Sequence, residues 1–315
     1  MEYDKIIADL ETGDQIEGFY VLKTAQGRVT GNGKPFLNAV LSDCSGAIEA
    51  KCWDYSGPVA ACDEGKVVKI RGTVSEFRGA LQLTIERLRL AEDADRFDLS
   101  RLVPVAPIDE EETFTQIKKF VESIEDSHYR AVCLEMLSRK GEVLRKIPAG
   151  KSVHHSFLGG LLMHTANMMY IADFLADLYW QTVDRSLLLA GTLLHDIAKQ
   201  EEFTFSSLGL VTDYSVKGQL LGHLVMGAHE IAEVAAELGI PEEKSVLLQH
   251  MLLSHHGQPE FGAAVVPQLA ESELLSLIDM MDSRMEIYQE AMDETPVGTF
   301  SKRIFALEKR IYHHD

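Results

Sequence analysis

The chain has 315 residues, of which 46% are hydrophobic and 25% charged, with a formal net charge of −19. That composition excludes a disordered or fibrous chain, and the length suits two domains of roughly 100–200 residues each. No apolar run reaches the roughly 18 residues that span a membrane, and the acidic surface excludes strong unspecific attraction to nucleic acid, leaving only local grooves for that role.

The charge is unevenly spread. Lys+Arg against Asp+Glu run 11 to 14 over residues 1–92, 9 to 12 over 93–150 and 10 to 23 over 151–315. The last segment also holds 11 of the 12 histidines. Cys44, Cys52, Cys62 and Cys133 show no CxxC spacing and read as reduced thiols. The start, Met-Glu-Tyr-Asp-Lys, is acidic where a secretory leader would be basic. The expectation is a cytoplasmic protein with no membrane partner.

Residues 16–30, 35–42, 47–53, 66–77 and 80–90 alternate or run apolar and β-branched. Turn chemistry separates them at Gly31-Asn-Gly33, Asp43-Cys-Ser-Gly46 and Arg78-Gly79. Five strands, with a short helical or irregular piece over 57–64, fit an OB-fold barrel; an SH3-like barrel has the same strand count. The barrel carries Arg28, Lys34, Phe36, Lys51, Trp53, Tyr55, Arg71, Phe77 and Arg78. Aromatic faces stack bases while Lys and Arg follow a phosphate backbone, so these are the candidate nucleic-acid-binding residues. Phe36, Trp53 and Phe77 equally suit cross-strand packing.

Residues 92–112 form a charged, Pro-containing connector ending in the acidic first turn of a helix. Helical spacing then covers 114–146, with a break near Asp126-Ser-His128. From Lys151 the chain is expected to be helical throughout: 159–178 with His164, 185–199 with His195 and Asp196, 218–239 with His223, 242–256 with His255 and His256, and 269–291 with Asp279 and Asp282. The resulting plan is β then α: a barrel over 1–92, a linker and helical connector over 93–150, and a helical domain over 151–315.

Successive helices that each carry His or Asp near a polar interruption can face one cleft and hold a metal there. Imidazole beside carboxylate suits a borderline or hard divalent ion. Lys199 lies four residues after His195 and three after Asp196, on the same helical face, placed to hold a phosphate. His229 and His250 read as surface or core histidines.

The order His, His-Asp, His, His-His, Asp resembles the HD-domain metal phosphohydrolases. The stretches Val153-His-His-Ser-Phe-Leu-Gly-Gly-Leu-Leu-Met-His164-Thr, Leu194-His195-Asp196-Ile-Ala-Lys199, Leu253-Ser-His255-His256-Gly257, Leu277-Ile-Asp279-Met-Met-Asp282 and Phe305-Ala-Leu-Glu-Lys-Arg310 are similar to the bacterial YhaM-type 3′-5′ exoribonucleases. Those enzymes place an OB-fold before an HD domain, and the resemblance covers nearly the whole chain. It implies that His164, His195, Asp196 and Asp279 hold one metal, that His223, His255 and His256 hold a second, and that Asp196 bridges them. It implies two ions per chain, manganese first, with iron, cobalt and zinc open. Asp282 fits a supporting or salt-bridging role better than ligation. Catalytic roles fall to Asp196, to Lys199 on a phosphoryl oxygen, and to His154 and His155 beside the scissile phosphate or terminal nucleotide.

The implied activity is hydrolysis of single-stranded RNA, or single-stranded DNA, to nucleoside monophosphates. A nucleotide or cyclic-dinucleotide phosphohydrolase is an alternative. The Gly-Tyr-Pro of cyclic-dinucleotide enzymes is absent, since the segment runs His256-Gly-Gln-Pro-Glu-Phe-Gly-Ala. A nucleic-acid-binding protein with a non-catalytic HD domain is another, although no ligand of the HD pattern is missing. A homo-oligomer is open too, because the apolar helices of 114–146 and the C-terminal segment could pack between subunits.

Overall fold

The structure, a computed structural model, describes residues 2–92, 94–150, 155–206 and 208–315. The chain divides into two compact units, Met1–Val105 with Ser206–Leu208 and Ala106–Phe205 with Gly209–Asp315.

The first unit is a closed five-stranded barrel. Its strands are β2 (Gln15–Val29), β3 (Pro35–Asp43), β4 (Gly46–Trp53), β5 (Val67–Phe77) and β6 (Ala80–Leu90), with the two-residue β1 (Glu2–Tyr3) added beside β2. The order is β1-β2-β3-β4-β6-β5, and a further β2–β5 pairing closes the ring. β4 and β6 run parallel, with Ala50 opposite Leu83 and Cys52 opposite Ile85. Period-two alternation points Leu37, Ala39 and Leu41 of β3 and Val68, Ile70 and Val74 of β5 into one core. A short 3-10 turn, Ala61–Asp63, fills the irregular stretch between β4 and β5. The β5–β6 hairpin turns through Arg78 and Gly79, both at positive φ, as a two-residue hairpin loop requires. A bulge separates Arg71 from Gly72, and a Cβ at Gly72 would lie 2.4 Å from the Thr84 carbonyl oxygen. The connector after the barrel is ordered: Arg89 makes a bidentate pair with Asp95, and Leu102 and Val103 are buried.

The second unit is helical. Its helices are α1 (Glu110–Glu122), α2 (Ser127–Leu144), α3 (Gly160–Leu178), α4 (Arg185–Leu194), the one-turn α5 (Lys199–Glu202), α6 (Val216–Glu237), α7 (Glu242–Ser254) and α8 (Ala270–Asp293). Asp109, Asp126, Asp184 and Ser215 cap the starts of α1, α2, α4 and α6 by accepting from free backbone N–H groups. Phe114 and Ile117 of α1, Met136 of α2, Leu162 and Met169 of α3, Leu188 of α4, Met251 of α7 and Ile278 of α8 share a single core. The helices over 114–146 therefore pack into the same body as the histidine-rich helices.

Two expectations need correcting. The helix expected over 185–199 stops at Leu194, and the chain turns through His195–Ala198 before α5 begins. After α5 the described residues are not helical up to Tyr214 but form a hairpin of β7 (Phe203–Phe205) and β8 (Val211–Tyr214), where Phe203, Thr204, Phe205 and Val211 favour extended backbone. A second small pairing joins β9 (Thr299–Phe300) to β10 (Tyr312–His313). No helix among the described residues is long and apolar enough to cross a membrane.

Candidate metal centre and nucleic-acid face

The last carbonyls of a helix lack intrahelical partners. His195 caps α4 and its Nδ1–H donates to the Thr192 carbonyl at 2.7 Å; His255 caps α7 and its Nδ1–H donates to the Leu252 carbonyl at 2.8 Å. The same local bond thus fixes both rings in the tautomer with a bare Nε2. His223 reaches that state by donating Nδ1–H to Glu202 Oε1 at 2.9 Å. His164, inside α3, turns Nδ1 to Asp282 Oδ2 at 2.6 Å, and Asn167 holds the other oxygen of Asp282 at 3.0 Å.

All four Nε2 atoms face Asp196. His223 Nε2 is 3.3 Å and His255 Nε2 3.8 Å from Asp196 Oδ1; His195 Nε2 is 3.2 Å and His164 Nε2 3.9 Å from Oδ2. His195 Nε2 also lies 3.3 Å from His164 Nε2, which is 3.4 Å from Asp279 Oδ1. His256 stacks edge-on against His255, with ring centroids 4.4 Å apart. His164, His195 and Asp196 form one set of candidate ligands within 4.8 Å of one another; His223, His255 and His256 form a second.

The donor set fits a cation. Asp196 Oδ1, His223 Nε2, His255 Nε2 and His256 Nδ1 are buried and have no hydrogen-bond partner among the described residues. Buried polar atoms left so are costly, and lone pairs aimed at one another are what a divalent ion would satisfy. Electrostatics agree. Burial holds His255 well below the usual histidine range and lowers His256, so both are neutral donors. Burial also lowers His164, but Asp279 and Asp282 outweigh it and push that ring up to about 9. Asp196 is buried, which raises its pKa, yet Lys199 and His195 hold it well below the carboxylate range. The Lys199 ammonium sits 2.6 Å from Asp196 Oδ2. A buried Lys140 fixes α5 in turn, pairing with Glu201 at 2.9 Å and with Glu230 on α6.

The structure thus brings together His164, His195, Asp196, Lys199, His223, His255, His256 and Asp279. The His155 ring is fully buried next to His164, with Nε2 3.6 Å from Asp282 Oδ2 and 3.7 Å from Glu286 Oε2, and His155, His164 and Asp282 form a third set of candidate ligands. His154 lies outside the described residues. Glu202 was not anticipated: it is 21 residues from His223 in the chain, and no local pattern joins them.

On the barrel, register puts Arg28, Phe36 and Trp53 in one row across β2, β3 and β4. The Phe36 and Trp53 rings lie 5.0 Å apart, and Lys51 Nζ sits 5.6 Å from the Trp53 ring and 5.2 Å from Phe77. Arg78 lies over Phe77 at 5.2 Å, and Lys34 pairs with Asp54 in the loop after β4. Trp53 and Phe77 are about half exposed, so they are not core residues. Arg71 stands apart from this row, on β5 opposite Glu17 and Arg87.

Comparison with known families agrees with both halves. Residues 22–91 match the OB-fold nucleic acid binding domain, and residues 161–284 match the HD domain. The chain joins an OB-fold barrel to an HD domain. Solved structures similar to part of it include the second OB-fold domain of replication protein A from Methanococcus maripaludis (14% identity, 30% of this chain and 100% of that one, TM-score 0.23). An OB domain from Thermoplasma acidophilum gives 14% identity, 31% and 92% coverage and a TM-score of 0.26. A replication protein A heterotrimer bound to ssDNA gives 21% identity, 28% and 65% coverage and a TM-score of 0.22.

Proposed function

We propose that this chain is a metal-dependent phosphodiesterase that shortens single-stranded RNA from its 3′ end, with single-stranded DNA as a second substrate. The observation that carries it is the ring of partnerless acceptors around Asp196. In this reading His164, His195, Asp196 and Asp279 hold one divalent ion, and His223, His255 and His256 hold a second that shares Asp196. Manganese is the first candidate, on the resemblance; a mixed imidazole and carboxylate set leaves iron, cobalt and zinc open. Ions bound there supply Lewis-acid activation of water and of the phosphoryl group.

The protein's own groups do the rest. Glu202, Asp282 and the carbonyls of Thr192 and Leu252 keep the four Nε2 lone pairs aimed inward. Lys199, now paired with Asp196, would with metal in place be free to turn its ammonium to a non-bridging oxygen, where a fixed charge would stabilise developing negative charge. His155 supports the Asp282–His164 pair. Phe36, Trp53 and Phe77 offer stacking faces and Arg28, Lys34, Lys51 and Arg78 offer charge to a single strand. The 3′-to-5′ direction rests on the resemblance of the motifs to exoribonucleases of that polarity.

Single-stranded RNA labelled at either end and incubated with manganese tests the proposal. Stepwise release of mononucleotides from the 3′ end, lost in Asp196→Ala, is the expected result. No cleavage of RNA or DNA with any divalent metal would overturn it and turn attention to small nucleotides.

A further inference from the structure

A cleft of about 670 Å³ opens in the barrel wall where β6 runs on past the end of β4. Cys52, Ile70 and Leu88 contribute its apolar lining and Trp53 and Tyr55 its aromatic one, while its charge comes from Lys69, Arg71, Arg87 and Arg89 set against Glu17, Asp54 and Glu86. A volume of roughly 300–1,000 Å³ is that of a small-molecule site.

The charges do not balance internally. Lys69 faces Arg89 and Arg71 faces Arg87 as direct cross-strand partners on β5 and β6. Like charges directly opposite each other destabilise a sheet. Two of the four are neutralised: Lys69 pairs with Glu17 at 3.2 Å and Arg89 with Asp95 at 2.6 Å. Arg71 forms an ion pair with Glu86 at 3.6 Å that is too long for a hydrogen bond, and its Nε is buried with no hydrogen-bond acceptor among the described residues. Arg87 is exposed and has no ion pair among the described residues. Two guanidinium groups therefore meet at the edge of the cleft with Glu86 as their one neighbouring carboxylate, and the Arg71 Nε–H and the Arg87 guanidinium are left for a further anion. A planar fork of N–H donors suits the oxygens of a phosphate.

We infer that this cleft is a nucleoside-phosphate subsite, in which Arg71 and Arg87 clamp one phosphate and the Trp53–Tyr55 wall takes the attached base. It centres on β5 and β6 and shares only Trp53 with the Arg28–Phe36–Trp53 row. The occupant is either one nucleotide of a strand that passes Trp53 or a free mononucleotide of the kind the proposed reaction releases. The inference rests on the nucleic-acid reading of the barrel only for the first of these sources.

The test uses the full chain in an Asp196→Ala background, so that nothing is cleaved. Anisotropy of a fluorescent octanucleotide of single-stranded RNA and calorimetry with uridine 5′-monophosphate are compared for Arg87→Ala and for Lys23→Ala. Lys23 is an exposed lysine on β2 outside the cleft, so its variant reports the loss of one charge alone. Loss of about fivefold in oligonucleotide affinity with a salt slope shallower by about one, in Arg87→Ala but not in Lys23→Ala, supports the strand as source. Mononucleotide binding that disappears in Arg87→Ala supports the free nucleotide. If the octanucleotide binds and Arg87→Ala matches Lys23→Ala for both ligands, the subsite is overturned while the proposed function stands. If the chain with intact Arg87 binds neither ligand, the subsite and the barrel's nucleic-acid role fall together.

Discussion

Glu202 Oε1 accepts two hydrogen bonds from one residue, the backbone N–H of His223 at 3.0 Å and its Nδ1–H at 2.9 Å. The pair fixes both the start of the ring and its rotation, and so aims Nε2 at Asp196 Oδ1. Outer partners of this kind set metal affinity within about 10- to 100-fold. Glu202→Ala is expected to weaken manganese binding by that order, and Glu202→Gln, which keeps an acceptor, by less. Metal titration of the chelated protein measures both. Unchanged affinity in Glu202→Ala would show that His223 is oriented by something else.

The double bond to Glu202 is reachable because Gly222, inside α6, adopts φ 71° and ψ 159°. Backbone of that kind is essentially confined to glycine and costs a side chain about 1–3 kcal/mol. Gly222→Ala is expected to lower the melting temperature by about 2–4 °C for each kcal/mol, and to lose metal affinity with it. A variant that melts like the parent and binds metal normally would contradict this placing of His223.

Proton release should accompany metal uptake. With its ring pushed up to about 9, His164 keeps a proton at pH 7 to 8 in the metal-free protein, and a cation must displace it. Metal affinity is therefore expected to rise with pH up to about 9. The sign for stability is the reverse. A raised folded pKa contributes stability that is fully present below about 6.5 and lost as pH climbs through 9. The metal-free protein should thus melt lower at pH 9.5 than at pH 7, a loss the metal-loaded protein does not share. Calorimetry in buffers of different ionisation enthalpy counts the released protons; a count of zero at pH 7.5 rules the scheme out.

The barrel has an acid-sensitive tie of its own. The Arg89 guanidinium, with the Glu92 N–H, holds the Asp95 carboxyl below the usual carboxylate range. Its contribution is present above the unfolded value of about 3.9 and lost as pH falls below it. Denaturant midpoints of the barrel are expected to fall between pH 5 and pH 3, and Arg89→Ala to flatten that slope. Equal slopes in the two proteins would assign the acid loss to other carboxylates.

Much of this molecule follows from near neighbours in the chain. Alternation along residues 35–43 and 67–77, and the Arg78-Gly79 turn, specify strands because side chains two apart share a face whatever lies beyond them. The helices of 110–144 follow from spacing and from Asp109 and Asp126 at their starts. The residue types of the metal centre are legible because His164, His223 and Asp279 interrupt helical segments and His195-Asp196 and His255-His256 directly follow apolar ones.

What distance in the chain separates, only docking could join. That α4 ends at Leu194 and that a hairpin follows α5 were hidden, because the apolar run over 187–198 suits a longer helix equally well. Glu202 meets His223 only when the hairpin of β7 and β8 folds α5 back on α6. Asp282 takes His164 Nδ1, and His155 falls behind both, through the crossing of α3 and α8. Arg71 faces Arg87 through a register that a bulge at Gly72 sets. Sequence by itself determined which groups are present and which local structure each rides on; the tertiary structure decided which lone pairs and charges face one another, because that depends on helix crossings and strand register rather than on any local propensity.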